Sequence, residues 1–257
     1  TIYYIAPQLW AWNEKRIKQI KKYINSLYVI LPFEKEFFES KHNYPVKFLG
    51  HPLADSIYNF KINYNSSNQL ITGDKKPIIA ILPGSRKQEI KKILNIVLET
   101  VEYFSEYQFI VAGAPNIELS YYTSIIKNKK IKVIENKTYE LLSVSYAAIV
   151  TSGTATLETA LFKVPQIVCY KSSYFSFFIA KLLVNIKYIS LVNLIMDQEI
   201  IRELIQGDCN KEKITNELRK ILNSNNRKVL KVKYDELASI LGENGTSKRV
   251  AIDIIKK

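Results

Sequence analysis

Two segments carry the residue types that hold an anion. Leu82-Pro83-Gly84-Ser85-Arg86 follows the apolar run from Pro77 to Leu82 and precedes a helical pattern of Lys, Glu, Ile and Leu. Ser152-Gly153-Thr154-Ala155 follows a second apolar run, Tyr146 to Val150, and continues into Thr156-Leu157-Glu158. A strand, a glycine turn and a helix in that order aim free backbone N–H groups and a positive helix end at one point. Gly84 permits the tight turn, Ser85 adds a hydroxyl, and Arg86 adds a guanidinium able to grip phosphate oxygens in pairs. In the second turn, Thr154 and Ala155 open a helix whose N–H groups suit a diphosphate. Glu158 lies one turn further on, on the side of Thr154. A carboxylate there can accept both hydroxyls of a ribose. The competing reading is structural: Ser85 as a helix N-cap, Glu158 as part of a capping box or a counterweight to the helix dipole. The occurrence of two such turns in one chain favours a phosphate-bearing ligand.

The elements around these turns must bring them together. Strands are expected at 78–82, 107–112, 131–135, 146–151 and 165–170, with helical patterns between most of them. That alternation predicts a parallel, doubly wound α/β sheet, with ligands at the C-terminal ends of its strands. Upstream, a strand from Ile2 to Ile5 leads to Trp10 and Trp12 and then to an amphipathic helix from about Asn13 to Ile24. Ile17, Ile20 and Ile24 share one face of it, and Lys15, Lys18 and Lys22 the other. Further strands are expected from Ser26 to Leu31 and Val46 to Leu49, with a helix from Phe33 to Lys41 between them. The second of these strands leads into Gly50-His51-Pro52-Leu53-Ala54-Asp55. The polar stretch Asn59 to Lys76 reads as a linker. The expected divisions are therefore 1–60, a linker at 61–76, and a nucleotide-binding unit at 77–257. From Asp197 onward the pattern is helical, broken near Gly207, Asn223–Asn226 and Gly242–Gly245.

With 257 residues, 47% of them hydrophobic, the chain can bury a substantial core. It opens at Thr1 inside an expected strand, without an initiator Met or a signal-peptide pattern, and reads as a fragment. No run of about 18 apolar residues predicts a transmembrane helix. Two cysteines, Cys169 and Cys209, are too few for a disulfide framework and fit a reducing cytoplasm. Neither they nor His42 and His51 have metal-ligand spacing, so no metal and no cofactor is expected. The net charge of +13 admits an anionic substrate, an anionic lipid surface, or a Lys-rich compositional bias shared with Ile, Asn and Tyr. Nucleic acid is not expected as a partner, because no helix-turn-helix, zinc spacing or aromatic RNA-binding strand accompanies the charge.

Several segments in one order carry a family resemblance. They are Ile5-Ala-Pro-Gln-Leu-Trp-Ala-Trp12, Leu31-Pro-Phe-Glu34, Phe48-Leu-Gly-His-Pro-Leu-Ala-Asp55, Leu82-Pro-Gly-Ser-Arg86 and Ser152-Gly-Thr-Ala155. Tyr188-Ile-Ser-Leu-Val-Asn-Leu194 and Glu199-Ile-Ile-Arg-Glu-Leu-Ile-Gln206 continue the order. Together they resemble the lipid-A-disaccharide synthases, glycosyltransferases of the GT-B fold. The resemblance implies one complete Rossmann-like domain and the remnant of a second. It also implies an inverting, metal-independent transfer. UDP-2,3-diacylglucosamine is the donor and 2,3-diacylglucosamine 1-phosphate the acceptor, giving lipid A disaccharide 1-phosphate and UDP. By the same resemblance, Gly84, Ser85, Arg86, Ser152, Gly153, Thr154, Ala155 and Glu158 bind the UDP-sugar. Asn193 sits near the donor, Gln198 and Glu199 contact its phosphate or sugar, and residues 134–136 lie by the uracil.

The resemblance departs in two places. The family's general base belongs to an N-terminal part that residues 1–60 do not include, leaving His51 as a weak substitute and Asp55 as a helix-capping or inter-domain residue. Where relatives commonly place Pro before the position of Asn193, this chain has Val192. Acylated substrates imply peripheral contact with the anionic inner-membrane surface on its cytoplasmic face. Lys15, Lys18, Lys22, Trp10 and Trp12 are candidates for that contact, as is the aromatic run from Tyr174 to Ile179. Two other readings stay open: a nucleotide-sugar epimerase of the same architecture, and a non-catalytic module or UDP-binding fragment.

Overall fold

The computed structural model describes residues 1–64, 75–127, 131–172 and 187–256. In chain order, the first segment folds as β1 (Ile2–Tyr4), α1 (Leu9–Trp12), α2 (Ile17–Tyr23), β2 (Ser26–Val29), α3 (Pro32–Glu36), β3 (Lys47–Phe48) and α4 (Pro52–Asn63). A 3-10 turn at Glu14–Arg16 splits the expected first helix, and α3 runs into a π turn at Phe37–Lys41. The second segment alternates β4 (Ile78–Leu82), α5 (Lys87–Leu98), β5 (Gln108–Gly113), α6 (Leu119–Ile126), β6 (Lys132–Glu135), α7 (Thr138–Val144), β7 (Ser145–Thr151), α8 (Thr154–Leu161) and β8 (Gln166–Tyr170). It continues with α9 (Leu191–Met196), β9 (Glu203–Ile205), α10 (Lys211–Leu222), α11 (Ser224–Leu241) and α12 (Thr246–Ile255).

Two compact units result. Of the described residues, the first comprises 1–63, 187 and 236–256, and the second 64, 75–127, 131–172 and 188–235. This corrects the expected divisions at two points. The linker expected from residue 61 begins inside α4, and its residues 65–74 lie outside the described residues. The C-terminal residues from Glu236, expected in the second unit, belong to the first. Specific bonds hold them there: the Tyr28 hydroxyl donates to Asp253 Oδ2 at 2.6 Å, and Lys47 Nζ pairs with the same carboxylate.

In the first unit, β1, β2 and β3 form a parallel sheet in that order over a core that includes Leu9, Ile17, Ile20, Leu27 and Phe38. Ile17 and Ile20 are buried while Lys15, Lys18 and Lys22 are exposed, as the amphipathic pattern requires. Glu34 is fully buried beneath the start of α3. Its carboxylate accepts the N–H groups of Ile30 and Leu31 and the indole N–H of Trp10, which also packs edge-on against Phe33. Trp10 is thus anchored within the unit. The aromatic run at 174–179 lies outside the described residues.

The second unit is a six-stranded sheet in the order β6-β5-β4-β7-β8-β9, every pairing parallel. The central strands β4 and β7 read as continuous apolar runs because helices cover both faces of a parallel sheet. All five residues of β4 are buried, as are the last five of β7. β9 occurs where only helices were expected. Three residues, Glu-Leu-Ile, leave too short a pattern to distinguish a strand from a helical turn. The strand order reverses between β4 and β7, whose ends align at Leu82 and Val150. In an open α/β sheet, that point of reversal leaves a crevice beyond the carboxyl ends of the strands.

Candidate functional site

The two glycine turns follow β4 and β7, the pair that flanks the reversal. Between them and the end of β5 lies a cavity of about 360 Å³, lined by residues 82–85, 112–115, 138, 151–155 and 158. Gly84 has φ +98°, and a Cβ there would come within 3.0 Å of Glu89 Oε2 and 3.5 Å of Thr151 Cγ2. The backbone conformation disfavours any side chain there, and the space is tight only against the movable end of Glu89. Gly153 has φ +127° and ψ −160°, yet nothing lies within 4 Å of the site its Cβ would take. There the requirement is conformational: this region of φ/ψ belongs almost wholly to glycine.

The helices that leave the turns have uncapped beginnings. α5 starts behind Arg86 and α8 behind Gly153, and in neither does the N-cap residue's side chain accept a hydrogen bond from the first turn. The early N–H groups of a helix have no partner within it. In α8 they sit at the cavity, which Thr154 and Ala155 line. Thr151, at the end of β7, adds a buried hydroxyl that has no hydrogen-bond partner among the described residues. Buried polar groups normally find partners, so this hydroxyl in the cavity wall marks a place for a polar ligand. Glu158 is half-buried, also lines the cavity, and accepts the Tyr139 hydroxyl at 3.0 Å. Burial pushes its carboxyl above the usual carboxylate range, and the hydrogen bond from Tyr139 offsets part of that rise.

Seven of the expected residues therefore share one cavity: Gly84, Ser85, Ser152, Gly153, Thr154, Ala155 and Glu158. Four others do not line it. Arg86 is 81% exposed and pairs with Glu89 at 3.0 Å. Asn193 is completely buried with every polar atom used. Its Nδ2 donates to the Ile201 carbonyl and Glu203, and its Oδ1 accepts from the N–H groups of Ile200 and Ile201. That saturates an amide side chain. Asn193 fixes the connection between α9 and β9, and its side chain has no polar atom left for a ligand. Gln198 is exposed and uses its backbone N–H on the Asn193 carbonyl. Glu199 pairs with Arg202 at 2.9 Å beside a different, shallow cavity of about 290 Å³. Of the residues expected by the uracil, Ile134 packs against the core and Asn136 takes φ +56°. The Ile134 carbonyl lies 3.3 Å from where a Cβ would stand on Gly113, which itself lines the large cavity.

His51 in the first unit is buried, and its Nδ1 accepts the N–H of Leu53 at 3.1 Å. Burial pulls the imidazole down to about pKa 4. A neutral ring with its basic nitrogen already occupied is a poor proton acceptor near pH 7. The role of substitute base is corrected to a structural one. Asp55 is the capping residue it was expected to be, accepting the N–H groups of Gly245, Thr246 and Ser247 at the start of α12.

The sequence reading missed the third wall of the cavity, residues 112–115, and also Thr138 and Tyr139. Ala112-Gly113-Ala114-Pro115 repeats the strand-then-glycine signal and was there to be found. Tyr139 was not, since nothing in its spacing ties it to Glu158, 19 residues away.

Comparisons with known proteins bear on this geometry. A family model for lipid-A-disaccharide synthetase matches residues 1–253. The lipid-A-disaccharide synthase of Persephonella marina is 36% identical over 100% of this chain and 71% of its own length. That of Coxiella burnetii (strain Dugway 5J108-111) is 36% identical over 88% of this chain and 60% of its own length. The chain thus spans 60% of one relative and 71% of the other. Among solved structures, a UDP-GlcNAc 2-epimerase from Neisseria meningitidis bound to UDP-GlcNAc matches with a TM-score of 0.64 at 14% identity. The match covers 98% of this chain and 68% of that one. WaaG, a glycosyltransferase involved in lipopolysaccharide biosynthesis, matches with a TM-score of 0.53 at 10% identity, over 97% and 73% of the two chains. At such identities the structural likeness is one of fold, shared by GT-B glycosyltransferases and epimerases alike. The sequence matches separate the two, and the chain belongs to the lipid-A-disaccharide synthetase family of glycosyltransferases in lipid A synthesis.

Proposed function

We propose that this chain supplies the UDP-binding half of an inverting hexosyltransferase. That enzyme joins UDP-2,3-diacylglucosamine to 2,3-diacylglucosamine 1-phosphate, forming the β-1,6-linked disaccharide 1-phosphate and releasing UDP. The observation that carries the reading is the pair of glycine turns, at Gly84 and Gly153, that line one cavity at the reversal of the sheet, with the uncapped start of α8 at the second of them. The diphosphate lies against the N–H groups beyond Gly84 and Gly153, with Ser85, Ser152, Thr154 and Ala155 around it. Glu158 takes the ribose hydroxyls. As the glycosidic bond to the diphosphate breaks, negative charge grows on the departing oxygen, and fixed N–H dipoles stabilise it without reorganising. Arg86 completes this set by leaving Glu89 for a phosphate oxygen. The base that deprotonates the attacking 6-hydroxyl is not assigned to any residue at the cavity.

Both inferred sugars carry acyl chains, which supports peripheral contact with the anionic inner-membrane surface on the cytoplasmic side. The exposed Lys18 and Lys22 of α2, with Lys15 in the 3-10 turn before it, are the candidate surface. Among the described residues no helix is long and apolar enough to cross a membrane.

Isothermal titration with UDP tests the nucleotide site. Saturable binding at one site per chain, tighter for UDP than for uridine, is the expected result. A folded chain that takes up no UDP overturns the reading.

A further inference from the structure

We propose that Tyr139 is the positioning residue of the nucleotide site: its hydroxyl holds the Glu158 carboxylate where both ribose hydroxyls can reach it. Tyr139 thereby sets the preference for ribose over 2′-deoxyribose. This inference rests on the reading of the cavity as a UDP site.

Three observations carry it. Glu158 lines the cavity and Tyr139 does not, although its neighbour Thr138 does. Tyr139 therefore acts through Glu158 and not on the ligand. Phe162, the C-cap residue of α8, lies four residues after Glu158 and bonds its N–H to the Glu158 carbonyl, which places the two on one side of the helix. Tyr139 engages both: its ring packs at a tilt against Phe162, centroids 5.2 Å apart, and its hydroxyl donates to Glu158 Oε1 at 3.0 Å. A ring wedged at one end and bonded at the other is a donor held in place before any ligand arrives.

The consequence follows from the chemistry of the carboxylate. Ionised, it only accepts hydrogen bonds, through two oxygens with about four lone-pair directions. Tyr139 occupies one direction on Oε1. Oε2 and the rest of Oε1 stay available to a cis-diol, in an orientation the side chain no longer has to find. An untethered Glu has three rotatable bonds to fix on binding, and that loss is subtracted from the affinity. A ligand lacking the 2′-hydroxyl gains little from the tether.

The test is titration of the full chain and its Tyr139→Phe variant with UDP and with 2′-deoxy-UDP. Phenylalanine keeps the ring against Phe162, and a circular-dichroism melt checks that the variant folds. The parent chain is expected to prefer UDP by about tenfold, as a hydrogen bond to a charged group implies. In Tyr139→Phe the affinity for UDP falls several-fold and that for 2′-deoxy-UDP changes less than twofold, so the preference collapses. Glu158→Gln collapses it as well, and the double variant loses no more than Glu158→Gln alone, as expected for two residues acting through one contact. A parent chain that binds no UDP defeats the site reading itself. Binding of UDP with an unchanged preference in Tyr139→Phe, or equal losses for the two ligands, overturns the positioning role alone.

Discussion

Each unit of this molecule contains a helix that begins behind a glycine of positive φ, and the two helix starts have opposite fates. In the first unit α12 begins behind Gly245, at φ +88°. The Asp55 carboxylate takes the N–H groups of Gly245, Thr246 and Ser247. In the second unit α8 begins behind Gly153, at φ +127°, with no side-chain cap and a cavity in front of it. A helix start attracts an anion in either setting. Where the chain supplies the carboxylate, the charge is structural. Where it supplies none and leaves room, the helix start is open to the anion of the proposed nucleotide ligand. The nearby arginines repeat the contrast. Arg249 spends its guanidinium on the Leu49, Asn244 and Glu243 carbonyls and the Thr246 hydroxyl, while Arg86, among the described residues, has one exposed pairing, with Glu89.

If the first unit is filled from within, its stability must depend on the groups that fill it. The largest expected effect is an acid limb from His51. Its folded pKa of about 4 lies below the value near 6.5 of an unfolded histidine. Lowering the pH protonates the unfolded state first. The stability that neutral His51 contributes is therefore whole above about pH 6.5 and is lost as pH falls toward 4. A gap of that size corresponds to roughly 3 kcal/mol. Both tryptophans of the chain, Trp10 and Trp12, belong to the first unit, so their fluorescence reports its unfolding. Urea midpoints by tryptophan fluorescence should fall between pH 6.5 and 4.5, and His51→Gln should flatten that fall. A limb of equal size in His51→Gln would remove His51 as its cause.

Asp55→Ala comes next, at about 2 kcal/mol for an N-cap carboxylate serving three donors. Asp55→Asn, which keeps an acceptor oxygen, should lose less. The carboxyl of Asp55 is partly buried, which raises its pKa, but the hydrogen bonds from Ser247, Gly245 and Thr246 outweigh that and hold it below the ordinary value. Its contribution persists above the unfolded carboxylate's pKa near 3.8 and vanishes as pH falls through the lower folded value, beneath the histidine limb. Because the cap lies in the first unit, UDP affinity should be unchanged in Asp55→Ala. A loss of UDP binding would mean that the two helix starts are not independent.

The comparison also shows what could be read from the chain and what could not. The sheet was legible because β4, β5, β7 and β8 are apolar runs bounded by glycine or proline, and such runs have few alternatives. The glycine turns were legible because their conformation resides in the backbone, and a glycine announces its backbone. Side-chain destinations were not. Asn193 stands in a motif shared with the family, yet four hydrogen bonds consume its amide, and those partners are fixed only once α9 and β9 are folded. His51 and Asp55 stand four residues apart in one motif, and only the C-terminal residues, some 190 positions later, give Asp55 its partners. The same distance hid the boundary of the second unit.

Arg86 gives the smallest expected effect and the sharpest test of the contrast. Its guanidinium is 81% exposed and held by one carboxylate oxygen, an exposed pairing worth little. It can therefore be diverted to a phosphate at small cost, whereas Arg249 cannot be diverted from its carbonyls. Arg86→Ala should leave stability within about 0.5 kcal/mol of the parent, as for surface changes generally. It should weaken UDP about tenfold, as expected of one charge-assisted hydrogen bond, and leave uridine unaffected. Glu89→Gln releases the arginine and should tighten UDP slightly. The two variants together separate a recruited arginine from a bystander. If Arg86→Ala and Glu89→Gln both bind UDP as the parent does, Arg86 stays with Glu89 and the backbone N–H groups hold the diphosphate alone. The second unit would then bind its anion as the first binds Asp55, by the helix start and nothing else.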